Sequence, residues 1–191
     1  MGFLPMLHIA ICGELGAGCT EIAEIISKKL GINAVSSATI VKSIVLEFRG
    51  VHPQESFKEF EQHVLSGEID LDKMIIGKID EMLEQGDLII EGRSAFMVLD
   101  KPEILKVLLV SPREKRFNHI AKTRKISLEE AEEAIRVSDS ERKHMVEKLF
   151  KKDWLDPHNY DLVINTGVRT YEEAADLILH EIKRKERSLK N

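Results

Sequence analysis

The chain has 191 residues, 43% of them apolar and 32% charged, with a formal net charge of -5. That length suits one domain with a sizeable core, and the acidic balance argues against broad nucleic-acid binding. Two cysteines, Cys12 and Cys19, make neither a disulfide framework nor paired zinc ligands and point to a reducing cytoplasm.

The apolar start, FLPMLHIAIC, is too short for a membrane span and lacks a basic leader, so no membrane partner is expected. Met6 spoils the myristoylation pattern that Gly2 would open. LHIAIC (7–12) reads as a buried parallel strand running into glycines. A helix follows, with Ile22, Ile25, Ile26 and Leu30 on its inner face and Gly31 as its stop. INAVS (32–36) is a second strand. Residues 38–49 repeat apolar side chains at helical spacing up to Gly50, and Pro53 opens a further helix that ends near Gly67.

Leu71, Ile75, Ile79 and Leu83 mark another helix, stopped at Gly86. DLIIEG (87–92) and ILKVLLV (104–110) are the next strands, and YDLVINT (160–166) is the fifth. SPRE (111–114), SLEE (127–130) and TYEE (170–173) each carry the capping-box pattern of a helix start. The final helix keeps Ala174, Leu177, Ile178 and Ile182 inward and ends in a basic tail, which suits the negative end of the helix dipole. Five apolar strands alternating with helices imply an α/β fold, a parallel sheet covered on both faces in three layers. Ligands of such sheets bind at the carboxyl edge of the strands.

At that edge GELGAGCT (13–20) follows the pattern of a phosphate-binding loop, except that Cys19 stands where lysine is usual. Gly13, Gly16, Ala17 and Gly18 would let the backbone N–H groups of the loop, continuing through Cys19 and Thr20, close around phosphate. The Thr20 hydroxyl would serve Mg²⁺. The same glycines would also suit a tight strand-to-helix turn. Cys19 reads either as a reactive thiol activated by the helix end or as a small residue fitting that turn. Glu91 and Arg93 follow an inner strand, where Glu91 could orient a magnesium-bound water and Arg93 could fork onto phosphate; a plain surface ion pair is the alternative.

GAGCTEIAEIISKKLG, EGRSAFMVL and WLDPHNYDLVINT, in that order, resemble the cytidylate kinase-like family of P-loop proteins, from about residue 7 to residue 182. The resemblance implies ATP-dependent phosphorylation of CMP or dCMP to the diphosphate, with Mg²⁺. It also implies a helical monophosphate-binding excursion at about 37–70 and an arginine-bearing lid at about 113–145, within a single domain spanning 1–191. Branches of that family likewise lack the loop lysine. Ser36 and Lys42 fall at the acceptor-binding positions, with Lys42 where an arginine is usual; a helix cap and a solvated lysine are the alternatives.

Among the basic residues of 113–143, Arg116 and Arg142 align best with the family's lid arginines. With Arg93 they would supply the charge that Cys19 cannot, since phosphoryl transfer rests on positioning and charge neutralisation. A solvated helix with pairs such as Arg136 and Asp139 is the alternative. Trp154 is expected to pack the lid on the core, Asn165 and Thr166 lie near the expected adenine seat or form a turn, and His119, His144 and His158 read as surface residues. Small nucleotides are the expected partners, the oligomeric state being monomer or homodimer. Another small-molecule P-loop kinase, or a catalytically weak nucleotide sensor, fits the same loop.

Overall fold

The structure is a computed structural model that describes residues 6–51, 54 and 56–188, the last three by backbone alone. Pro53, expected to open a helix, lies outside the described residues. Five strands, β1 (His8–Gly13), β2 (Asn33–Ser36), β3 (Leu88–Glu91), β4 (Leu105–Val110) and β5 (Leu162–Asn165), form one sheet in the order β2-β3-β1-β4-β5. Every neighbouring pair is parallel. β1 is therefore central, and β3 and β4 flank it. The register sets Ile11 beside Glu91 and Gly13 beside Leu109, so the turn leaving β1 emerges between the ends of β3 and β4.

The strands read as unbroken apolar runs because both sheet faces are covered. One face carries Ala10, Cys12, Leu88, Ile90 and Leu108, packed under α2 (Ser37–Val51), α3 (Phe57–Leu65) and α4 (Leu71–Glu84). The other carries Ile9, Ile11, Ile89, Val107 and Leu109, packed under α1 (Cys19–Leu30) and α7 (Tyr171–Ser188). Each fully buried isoleucine among them contributes about 1.5–3 kcal/mol through its removal from water.

α5 (Arg113–Arg124) and α6 (Leu128–Phe150) form a hairpin beside the sheet edge, joined by a small core of Ile120, Ala131 and Ile135. Ser127 and Glu130 close a capping box at α6. Thr170 and Glu173 exchange the equivalent bonds at α7.

The first expected capping box does not form. The cap position of α5 falls on Pro112, whose ring has no group to bond, and the Ser111 backbone N–H is turned to Glu14 Oε2 at 3.1 Å. Ser56 and Glu59 instead close one at α3, which the sequence reading did not use. Leu30 and Leu177, expected inward, are 39% and 37% exposed, while Ile26, one turn before Leu30, and Ile178, next to Leu177, fill the interior. After β3 the chain enters a 3₁₀ segment, Gly92–Val98, whose Ser94 to Val98 are all buried.

Candidate active site

The loop between β1 and α1 owes its shape to two left-handed glycines, Gly16 (φ 86°) and Gly18 (φ 94°). A side chain at Gly18 would also collide with the Tyr171 ring, whose Cε1 stands 2.4 Å from the position a Cβ would take. Only glycine meets both demands. The loop is tied from within by Ala17 N–H to Glu14 C=O at 3.0 Å. From β5, buried Thr166 donates its hydroxyl to Ala17 C=O at 2.9 Å. Thr166 and Asn165 thus end the strand as turn formers, with Asn165 Oδ1 accepting from Gly167 N–H.

Cys19 opens α1 with its thiol pressed on Gly13, leaving 2.6 Å where a Cβ would stand. Burial pushes the thiol up to about 12, and Glu91 adds to the shift. The activated-thiol reading fails here: loss of solvation outweighs the helix end. Cys12 is likewise a buried, free core thiol.

Thr20 and Glu91 meet across the loop, with Thr20 Oγ1 donating to Glu91 Oε2 at 3.2 Å. Burial raises the Glu91 carboxyl above its usual range; the Thr20 bond and Arg142 oppose this, while Glu21 and Glu24 reinforce it. Both residues line a cavity of about 260 Å³ in front of the loop, together with Gly16, Gly18, Arg124 and Arg142.

Arg142, from the middle of α6, is 7% exposed. Its Nη1 donates to Ser138 C=O at 3.1 Å and to Ser138 Oγ, and its Nε has no partner. Among the described residues no carboxylate pairs with it. Burial lowers its pKa, with the nearby Arg93 acting in the same direction. Asp139 and Glu141 act on it only through their charge and do not bond it, so a buried guanidinium faces the glycine-rich turn without a bonded carboxylate.

Arg116, expected at the transferring phosphate, sits elsewhere. It is 6% exposed, and its guanidinium is taken by Asp139 Oδ2 (2.6 Å), Glu14 Oε1 (3.2 Å) and Leu15 C=O (3.3 Å). It does not line the front cavity. Asp139 pairs with Arg116 and not with Arg136, which binds Glu133 instead.

Of two further cavities, the first touches the loop, at Gly16. This one, of about 380 Å³, lies between α5 and the β5–α7 turn, lined by Lys115, Asn118, His119, Arg169 and Tyr171. His119 is therefore not a plain surface residue: it lines this cavity and the front one, pairing with Glu21 at 2.8 Å and meeting the Tyr171 ring edge-on.

The other, about 510 Å³, lies between α2, α4 and α6, with Ser37, Val41, Asp72, Ile75, Arg93 and His144 among its walls. Arg93 is brought to this cavity but held by Glu141 of α6. Ser36 turns away, capping α2 through Thr39, to which it bonds by side chain and backbone. Lys42 is exposed, and its neighbour Val41 faces the cavity in its place. Ser37 bridges to Ser94 N–H and Oγ at 2.9 Å each, a contact the sequence reading passed over for the adjacent serine. His158 is exposed beside Asp156. Trp154 is buried against Phe96, with ring centres 5.7 Å apart, and so anchors the chain beyond α6 to the core.

Residues 8–168 match the cytidylate kinase-like family. The sequence is 31% identical over 177 residues to the cytidylate kinase of Methanobrevibacter smithii, covering 92% of this chain and 98% of that one. It is also 31% identical over 183 residues to the cytidylate kinase of Sulfolobus acidocaldarius, covering 94% and 96%. In architecture it is similar to an uncharacterized protein from Eubacterium ventriosum (TM-score 0.71, 16% identity, 93% and 98% covered). It is similar too to shikimate kinase from Acinetobacter baumannii in complex with shikimate (TM-score 0.58, 15% identity, 96% of each chain). At such identities these two likenesses speak for the fold, the parallel three-layer arrangement of P-loop kinases. A family pattern matched from the first strand to the last, with relatives alike along nearly their whole length, makes the chain a member of the cytidylate kinase-like family.

Proposed function

We propose that the protein is a Mg²⁺-dependent kinase that transfers the terminal phosphoryl group of ATP to a pyrimidine nucleoside monophosphate, CMP or dCMP, giving the diphosphate. One observation supports this reading: the buried Arg142 guanidinium, to which no carboxylate is bonded among the described residues, and the Thr20–Glu91 pair face the same glycine-lined cavity. Gly16, Gly18, Cys19 and Thr20 line that cavity and would offer N–H groups at the start of α1, where phosphate oxygens are favoured, whereas Ala17 N–H is held by Glu14 C=O. Arg142 neutralises charge that builds on the transferring group. Arg124, lining the same cavity, takes the second cationic place expected of Arg116.

The donors fit magnesium. Thr20 and Glu91 present oxygen only, and no cluster of three or more His, Cys, Asp or Glu competes for a metal among the described residues. Mg²⁺ is commonly held by one or two protein oxygens with phosphates and waters completing the shell. Thr20 would hold it directly and Glu91 through water; when bound, the ion supplies Lewis-acid neutralisation of phosphate charge. The raised Glu91 carboxyl loses its proton more readily once a cation stands beside it.

The acceptor is assigned to the cavity between α2, α4 and α6. Arg93 there grips the acceptor phosphate by exchanging Glu141 for it, and Ser37 and Ser94 offer hydroxyls in place of Ser36 and Lys42. The helices α2–α4 act as the monophosphate-binding excursion and the α5–α6 hairpin as the lid, within one domain. The unpaired cysteines fit a cytoplasmic setting. No helix among the described residues is long and apolar enough to cross a membrane.

A coupled assay of ADP release with Mg²⁺ and ATP, run over CMP, dCMP, UMP, AMP and shikimate, tests the assignment. CMP or dCMP should stimulate turnover most. ATP binding without stimulation by any acceptor would leave a nucleotide sensor, stimulation by shikimate alone a different kinase, and absence of ATP binding neither.

A further inference from the structure

Five groups close on the back of the phosphate loop. Asp139 Oδ1 accepts from Leu15 N–H at 3.1 Å, and Asp139 Oδ2 takes Arg116 Nη1 at 2.6 Å. Arg116 also donates to Leu15 C=O at 3.3 Å and pairs through Nη2 with Glu14 Oε1 at 3.2 Å. Glu14 Oε2 accepts from Ser111 N–H at 3.1 Å, tying the loop to the end of β4. Leu15 and Asp139 are 124 residues apart in sequence. Neither Arg116 nor Asp139 lines the cavity in front of the loop. The network therefore grips both polar groups of Leu15 through two side chains, Arg116 and Asp139, that stay out of the front cavity, while Glu14 and Leu15 themselves border it.

We infer that Asp139 is a positioning residue, which with Arg116 holds the phosphate loop in its binding shape and so does for this loop what a lysine at position 19 cannot. A lysine in the loop would bring a cation to the loop backbone as well as to phosphate. With cysteine in that place, the backbone cation comes from α5, as Arg116 on Leu15 C=O, and its orientation is fixed from α6 by Asp139. Because α5 and α6 are the hairpin, the same contacts link the hairpin to the loop. The inference rests on the phosphotransferase reading for its consequence, tighter donor binding, but its geometry is independent of that reading.

Asp139→Asn keeps an oxygen for Leu15 N–H and surrenders the charge pairing with Arg116; Asp139→Ala surrenders both. Binding of a fluorescent ATP analogue with Mg²⁺ should weaken about tenfold in Asp139→Ala and about threefold in Asp139→Asn, as expected for loss of half-buried hydrogen bonds to charged groups. Turnover at saturating donor should stay within about twofold, since the charge at the transferring group is untouched. Amide hydrogen exchange of the nucleotide-free protein should accelerate at residues 14–18 in the same order of variants. A lower melting temperature alone, with wild-type donor affinity and unchanged exchange at 14–18, would overturn the inference. If Asp139→Ala does not fold, wild-type affinity and exchange in Asp139→Asn would overturn it equally. Wild-type protein that binds no ATP analogue would defeat the phosphotransferase reading instead, while the exchange experiment still tests the brace.

Discussion

The front and the back of the phosphate loop each hold one buried arginine, and the two arginines are dressed in opposite ways. At the back, Arg116 meets two carboxylates and a backbone carbonyl. At the front, among the described residues, Arg142 hydrogen-bonds only to Ser138. Both are nearly sealed from water, at 6% and 7% exposure. A buried charge is costly unless paired, so Arg116 reads as structure and Arg142 as a group kept ready for something that arrives. The presence of an arginine in a lid is therefore uninformative until its partners are known.

Substitution should separate the two sides. Arg142→Ala is expected to cut turnover about a thousandfold, as removal of an arginine that stabilises transferring phosphate does. It should leave the melting temperature close to that of the wild type, because no ion pair is lost. Arg116→Ala should do the reverse: it removes the cation from the half-buried Asp139 and Glu14 carboxylates, a loss of about 1.5–3 kcal/mol in urea unfolding. If Arg116→Ala kept its stability and lost turnover, the two sides would have been assigned the wrong way round.

A smaller effect concerns Glu91 at the front. Its carboxyl is raised in the folded protein, chiefly by burial, so the native state holds the proton more tightly than the unfolded chain does. Stability from this group is fully present below the unfolded carboxylate range and is lost as pH rises through the raised folded value. Other carboxyls such as Glu59 and Glu130 are lowered and act the opposite way, so urea midpoints followed from acid toward neutral pH should gain less, or fall more, in the wild type than in Glu91→Gln. A steeper decline in the variant would remove Glu91 from the account.

The sheet and the loop were open to sequence reading because their signals are local. Apolar runs such as ILKVLLV have no polar face to show, and Gly16 and Gly18 sit where only glycine fits. The cavity walls were less accessible. α2 starts at Ser37, which puts Ser37 and Val41 one turn apart on the inward face and rotates Lys42 out. Asp139 was hidden for another reason. Arg136, three residues before it on α6, is the obvious local partner, whereas its true partner lies on α5 and becomes adjacent only when the hairpin closes. Ser94 to Val98 give no helical or strand period, being buried on every side.

The central claim is that the front of the loop is an anion site completed by Arg142. Thermal unfolding during a titration with ATP and Mg²⁺ tests it directly, because a ligand that binds only the folded state raises the melting temperature with its concentration. The account predicts a rising midpoint for the wild type and a much smaller rise for Arg142→Met. A flat wild-type curve, or an equal rise in both proteins, would contradict it.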